Sequence, residues 1–191
     1  MLISFILYTV FMSYTPGPNN LLALDGSLRF GFKGTKRFLF GIGLGFLSLS
    51  IICLVFSTYL TLYFKNFVLL IKILGFIYLL YLAFSVFTSH EKGKDNRSCY
   101  RLRDGLYLQY MNPKTIVYVL TAIVSYATVQ SSSYFMMISY TIIIALIGVS
   151  GAIAWSLMGL CFKQLLTKYN TQYKIIMSAS LVILACMMLF E

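Results

Sequence analysis

Acidic residues are scarce, with five Asp and Glu against fifteen Lys and Arg in 191 residues, and charged residues of both signs make up only 10% of the chain. Soluble domains carry about 25% charged and 45–50% apolar residues. Here 60% are hydrophobic, which excludes an ordinary soluble domain and describes a membrane protein. There is one histidine, His90, in a polar stretch, and no HExxH motif or Cys/His cluster, so a metal site has no ligand set. With no histidine in an apolar run, Ser13, Ser48 and Ser50 have no partner for a Ser/His nucleophile. Cys53, Cys99, Cys161 and Cys186 contain no CxxC pair and read as packing residues. A nucleotide-binding P-loop is missing too, which excludes direct ATP drive within this chain, and no cofactor is expected.

What the chain does have is long uncharged runs. A helix needs about 20 apolar residues to cross a hydrocarbon core. Six segments meet or approach that length: Leu2 to Leu24, Phe38 to Leu62, Phe67 to Thr88, Gly105 to Thr128, Tyr134 to Leu160 and Tyr173 to Phe190, with "VQSSS" (Val129 to Ser133) dividing the fourth from the fifth. The first lacks the basic n-region and small-residue cleavage site of a signal peptide and is read as retained. The sequence therefore predicts an all-α integral membrane protein of six transmembrane helices in one transporter-like domain, residues 1–191.

The formal net charge of +10 raises the question of a nucleic-acid partner, and its distribution answers it. Arg29, Lys33, Lys36 and Arg37 fall between helices one and two. Lys92, Lys94, Arg97, Arg101 and Arg103 fall between three and four, and Lys163, Lys168 and Lys174 at or between the ends of five and six. Basic residues in alternate connections are the positive-inside signal, which predicts cytoplasmic basic connections and both termini outside. Dispersed over short loops, they imply a lipid bilayer and no nucleic acid.

The polar interval from Ser89 to Asp104 divides the chain into repeat one (1–88), a cytoplasmic connection (89–103) and repeat two (104–191). Three crossings per half oblige the halves to enter the membrane from opposite faces, the arithmetic of an inverted repeat. Each half also carries an interruption in its first helix: "TPGPNN" (Thr15 to Asn20) and "NPK" (Asn112 to Lys114), with Pro16 and Pro113 97 positions apart. A proline inside a helix removes a hydrogen bond and clashes with the preceding turn, at a cost of about 3 kcal/mol or more. In lipid, such backbone survives only where protein surrounds it or it lines a cavity. Helices one and four are thus expected to be broken near the membrane interior.

Thr15-Pro16 and Asn112-Pro113 each read as an N-cap followed by Pro at N1. The new half-helices would present N-terminal ends, each worth roughly half a positive charge, to a carboxylate. The carbonyls ending the preceding half-helices suit an ammonium. Thr15, Pro16, Gly17, Pro18, Asn19, Asn20, Asn112, Pro113 and Lys114 are accordingly the candidate substrate-binding residues. Lys114 is a carboxylate anchor or part of a coupling network, unless it snorkels from about 14 Å inside its helix. Asp25 reads as a loop charge pairing with Arg29 at i,i+4, or as a proton carrier. Gly41 and Gly45, and Gly148, Ala152 and Ser156, are spaced for close helix packing, within a chain or in a homo-oligomer alike. Trp155 reads as core or interface.

"TPGPNNLLAL" (Thr15 to Leu24), "GFKGTKRFLFGIGLGF" (Gly31 to Phe46), "LGFIYLLYLAF" (Leu74 to Phe84), "LYLQYMNPKTIVY" (Leu106 to Tyr118) and "WSLMGLCFKQLL" (Trp155 to Leu166) together resemble the LysE/RhtB family of amino-acid exporters over essentially the whole chain. The sequence looks closest to its cysteine/O-acetylserine exporter branch. The resemblance implies a multi-pass carrier of the bacterial plasma (inner) membrane that expels small neutral amino acids or derivatives, of the cysteine or O-acetylserine kind, with threonine, homoserine or leucine as other options. It implies a secondary transporter driven by the proton gradient, and that the Thr15 to Asn20 and Asn112 to Lys114 segments line the route. Position 25 is expected to hold a small polar residue in that branch, where this chain has Asp25. The alternative is an integral-membrane enzyme or thiol-redox protein without transport activity.

Overall fold

The structure, a computed structural model, describes residues 2–56, 73, 76–78, 80–84, 86–88, 100–127 and 134–190. Every secondary-structure element among them is helical. In chain order they are α1 (Leu2–Tyr14), α2 (Pro18–Val55), α3 (Leu102–Met111), α4 (Pro113–Ala122) with a π-helical turn at Ile123–Ala127, α5 (Tyr134–Cys161), α6 (Lys163–Lys168) and α7 (Asn170–Phe190). Residues 76–78, 80–84 and 86–88 are also helical. Part of the third expected span (residues 67–72, 74, 75, 79 and 85), residues 89–99 of the cytoplasmic connection and the "VQSSS" divider lie outside the described residues.

Two helices, Pro18–Val55 and Phe135–Cys161, are long and apolar enough to cross a membrane. Their surroundings reverse the soluble pattern. Ile3 is 75% and Phe135 80% exposed, while Asp25 is 1% exposed and Gln109 fully buried. Apolar side chains outside and hydrogen-bonded polar ones inside are what a hydrocarbon solvent selects. In α1 the same division follows the helical period, with Phe5, Thr9 and Ser13 buried and Ile3, Leu7 and Phe11 exposed.

The charged stretch from Asp25 to Arg37, expected to be a loop, is helical and belongs to α2. The chain reverses within it at one residue, Gly31, with φ 67° and ψ 171°. Positive φ with ψ near 180° is a region that essentially only glycine enters, having no Cβ. The sharpness of the turn is plain from Gly26, where a Cβ would lie 3.0 Å from Cγ2 of Thr35. On a straight helix, nine residues would hold the two about 13.5 Å apart. A single residue therefore replaces the expected connection, and α2 consists of two legs, 18–30 and 32–55. The second leg keeps about 36 Å of helix, sufficient to span.

Close helix contacts hold the break-bearing segments. Gly41 on the second leg of α2 abuts the Leu102 backbone, Gly45 abuts Gln109, and Gly105 of α3 abuts the Phe38 carbonyl. On the other side, α5 places Gly151 against the Ser13 carbonyl and Gly159 against that of Leu24, while Ser156 and Ser27 share a hydroxyl hydrogen bond. Side chains at these glycines would collide with backbone, or at Gly45 with the Gln109 side chain, so the residues allow an approach that no larger residue would permit.

Candidate functional site

Between α1 and α2 the helix stops at Tyr14 and restarts at Pro18. Pro16 and Pro18 have no N–H, which frees carbonyls that lipid cannot satisfy. Each finds a donor in the protein. The Thr15 hydroxyl donates to the Met12 carbonyl at 3.2 Å. Asn20 Nδ2 donates to the carbonyls of Ser13 and Thr15, both at 2.8 Å. Trp155 Nε1 donates to the Tyr14 carbonyl at 3.0 Å. The capping expectation moves by two residues here: the N-cap is Gly17, with Pro18 at N1 and no side-chain cap. Thr15 is instead occupied in closing the end of α1.

The second interruption is a single residue, Asn112, between α3 and α4. Its side-chain oxygen accepts from the Lys114 backbone N–H at 3.1 Å, with Pro113 at N1. This is the N-cap arrangement in which a short polar side chain takes an orphan donor of the first turn.

The Lys114 side chain joins the two interruptions. Its Nζ donates to the Thr15 hydroxyl at 2.8 Å, the Pro16 carbonyl at 3.1 Å and the Thr15 carbonyl at 3.2 Å. All three donors of the ammonium are used within the protein. The space comes from Gly17, where a Cβ would stand 3.2 Å from Nζ. Beside it, Asn19 Nδ2 donates to Gln109 Oε1 at 2.7 Å and Gln109 Nε2 returns a bond to Asn19 Oδ1 at 3.2 Å. Thr115 Oγ1 lies 3.5 Å from Asn19 Nδ2, and the Ser13 hydroxyl donates to Tyr118 at 3.3 Å. These groups surround a cavity of about 20 Å³, lined among others by Ser13, Asn19, Asn112, Lys114, Thr115 and Tyr118. That is room for about one water. An amino acid would enter only if the walls moved apart.

A second polar cluster lies on the first leg of α2. Arg29 Nε donates to both oxygens of Asp25, at 2.7 and 2.8 Å. The Tyr173 hydroxyl donates to Oδ1 at 2.9 Å, and the Tyr100 hydroxyl donates to Oδ2. Asp25 is thus paired with Arg29 as the spacing suggested, but it is enclosed, not a loop charge at the surface. Burial, followed by the Asp25 carboxylate, holds the Tyr100 phenol well above its ordinary pKa, so it remains a donor.

All nine candidate binding residues lie at one locus, and Asp25 stands apart from it. Sequence reasoning missed Trp155, Gln109, Thr115 and Tyr118 at the breaks and Tyr100 and Tyr173 at Asp25. For Trp155 and Gln109 a signal existed, since each is a hydrogen-bonding side chain within an apolar helix and required a partner.

The family model described as LysE type translocator matches residues 10–191. The chain belongs to the LysE family. Two relatives, each named cysteine/O-acetylserine efflux protein, are similar over almost their whole length. That of Escherichia coli strain K12 is 31% identical over 193 residues, and that of Salmonella paratyphi A 33% over 185 residues. Each alignment covers 95% of this chain and 94% of the relative. No solved structure matches. LysE membership makes this helical membrane protein an amino-acid exporter rather than an enzyme.

Proposed function

We propose that this protein is a secondary transporter that exports a small neutral amino acid or derivative of the cysteine or O-acetylserine kind, by proton antiport, binding it between the two helix breaks. Six spans arranged as two inverted repeats, with both termini outside, would bring the breaks together from opposite leaflets. The observation that carries the reading is the Lys114 ammonium, held by the Thr15 hydroxyl and by the Thr15 and Pro16 carbonyls across the two breaks.

Those carbonyls form the rim suited to a substrate's α-ammonium, and in this conformation Lys114 occupies it. On substrate entry the lysine gives up the rim and turns to the substrate carboxylate. The positive N-terminal ends of α2 and α4 would favour the same anion, although the Lys114 N–H is already taken by Asn112. Asn19, Asn20 and Asn112 supply neutral donors and acceptors around the guest, and Pro16, Gly17, Pro18 and Pro113 keep the backbone open. The names of the relatives, cysteine/O-acetylserine efflux proteins, support the substrate class.

The test is efflux from vesicles loaded with labelled cysteine, O-acetylserine, threonine, homoserine or leucine, with and without a proton gradient. Gradient-dependent efflux of at least one above that of vesicles lacking the protein is expected. Efflux equal to the background for all of them removes the proposal. Lys114→Ala is expected to insert normally and raise KM or lower the rate by tenfold or more, and unaltered kinetics would return the lysine to a structural role.

A further inference from the structure

The Asp25 cluster is not used by the binding site, and it sits on the same helix leg that starts at the first break. Residues 18, 21, 22, 25 and 29 follow one another along one stripe of the first leg of α2, by the three- and four-residue spacing of helical neighbours. The stripe begins at the break and reaches Asp25 after seven residues, about 10 Å. There the carboxylate receives Tyr100, from the segment entering α3, and Tyr173, from the start of α7, while Arg29 holds it from below. Three separate stretches of chain are tied to one carboxylate that is 1% exposed.

Tyr100 has a built seat. A Cβ on Gly26 would lie 2.8 Å from its ring, and the rings of Phe30 and Phe38 pack around it at 5.4 and 5.6 Å. It also lines a crevice of about 940 Å³ whose other walls include Lys33, Lys36, Arg37, Arg101 and Arg103. Tyr100 is therefore the partition between a basic crevice and the buried carboxylate. Basic clusters of this kind mark the cytoplasmic side.

We infer that Asp25, with Tyr100 and Tyr173, is the latch of the cytoplasmic gate. In this conformation the two hydroxyls close the stripe that leads from the basic crevice to the breaks. Opening toward the cytoplasm requires both hydroxyls to leave the carboxylate, after which Tyr100 swings from its seat beside Gly26. The inference rests on the exporter reading for its purpose, and on the hydrogen bonds alone for its geometry. Arg29 keeps its bond to Asp25 on the same helix whether the latch is open or shut, so the carboxylate is never left as a lone buried charge.

Reporter cysteines test this in the full-length chain with the four native cysteines replaced. Met177, one turn deeper than Tyr173 on the same face of α7, is 4% exposed, and Leu21, one turn deeper than Asp25, is 7% exposed. Met177→Cys is labelled with a membrane-impermeant maleimide in inside-out and right-side-out vesicles, and Leu21→Cys serves as the second reporter. Tyr100→Phe and Tyr173→Phe remove only the hydroxyls. Since hydrogen bonds to a charged group are the strong ones, each is expected to speed labelling from the cytoplasmic face about tenfold or more, with no change from the outer face. Unchanged cytoplasmic labelling overturns the latch, and so does an equal increase from both faces, which is general loosening. Labelling needs no transport: a wild-type protein that exports nothing would defeat the exporter reading while leaving the latch result standing.

Discussion

Trp155 Nε1 lies 3.0 Å from the Tyr14 carbonyl oxygen and supplies the hydrogen bond that Pro18, four residues after Tyr14, cannot. The interruption in the first helix is stabilised by a residue 141 positions away, on a helix that also packs its glycines against that segment. The break and α5 therefore depend on each other, and disturbing one should loosen the other.

Trp155→Phe keeps an aromatic ring but deletes the donor together with the pyrrole half of the indole. It leaves a carbonyl unpaired away from water, which costs about 1–3 kcal/mol. A lower thermal midpoint in detergent, followed by circular dichroism, is expected together with reduced efflux. An unshifted midpoint would mean that the indole bond contributes nothing.

Gly31 turns α2 back at φ 67°, and open space lies where its Cβ would be. Gly31→Ala thus introduces backbone strain without a clash, about 1–3 kcal/mol, because positive φ with ψ near 180° is open to little but glycine. Gly31→Asn gains no relief, since the tolerance of asparagine is for the left-handed helical well at ψ of about 47°. Denaturation midpoints below wild type for both variants check this, and an unshifted midpoint in either contradicts the role given to the turn.

Gly105 and Gly43 separate close packing from mere helix propensity. A Cβ at Gly105 meets the Phe38 carbonyl and lies 2.9 Å from the Ile42 backbone nitrogen, whereas at Gly43 it would lie an ordinary 3.6 Å from Val149 Cγ2. Gly105→Ala is expected to reduce the yield of folded protein in membranes severalfold. Gly43→Ala should leave it at wild-type level or above, since alanine favours helix over glycine by about 1 kcal/mol. Equal yields for the two variants would count against the contact.

A reporter enzyme fused after Glu191 tests the orientation read from the basic residues. One that is active only outside the cytoplasm should give signal, and one active only inside should not. The opposite result would reverse the assignment of the faces.

The interruptions were legible in the sequence because proline and asparagine amid apolar residues have few explanations in lipid. The Asn112 cap follows directly from Asn-Pro-Lys. The first break was harder, since two prolines two residues apart both qualify for N1, and only packing against Trp155 and Lys114 decides that Pro18 begins the helix. The stretch from Asp25 to Arg37 misled for a related reason. Its charges read as a water-exposed loop, but Asp25 and Arg29 neutralise one another along the helix, and one glycine accomplishes the reversal. Tyr100 and Tyr173 could not be assigned to Asp25 beforehand, because nothing local marks a tyrosine as the partner of a carboxylate 75 or 148 residues away.

With space for about one water at the breaks, this conformation has no room for an amino acid. If substrate binds there as proposed, it must first shift the population toward a wider form, so its apparent affinity is the intrinsic one reduced by the fraction already open. Weak saturation in equilibrium binding is then compatible with tight recognition during transport, and a variant that props the site ajar should reveal the difference.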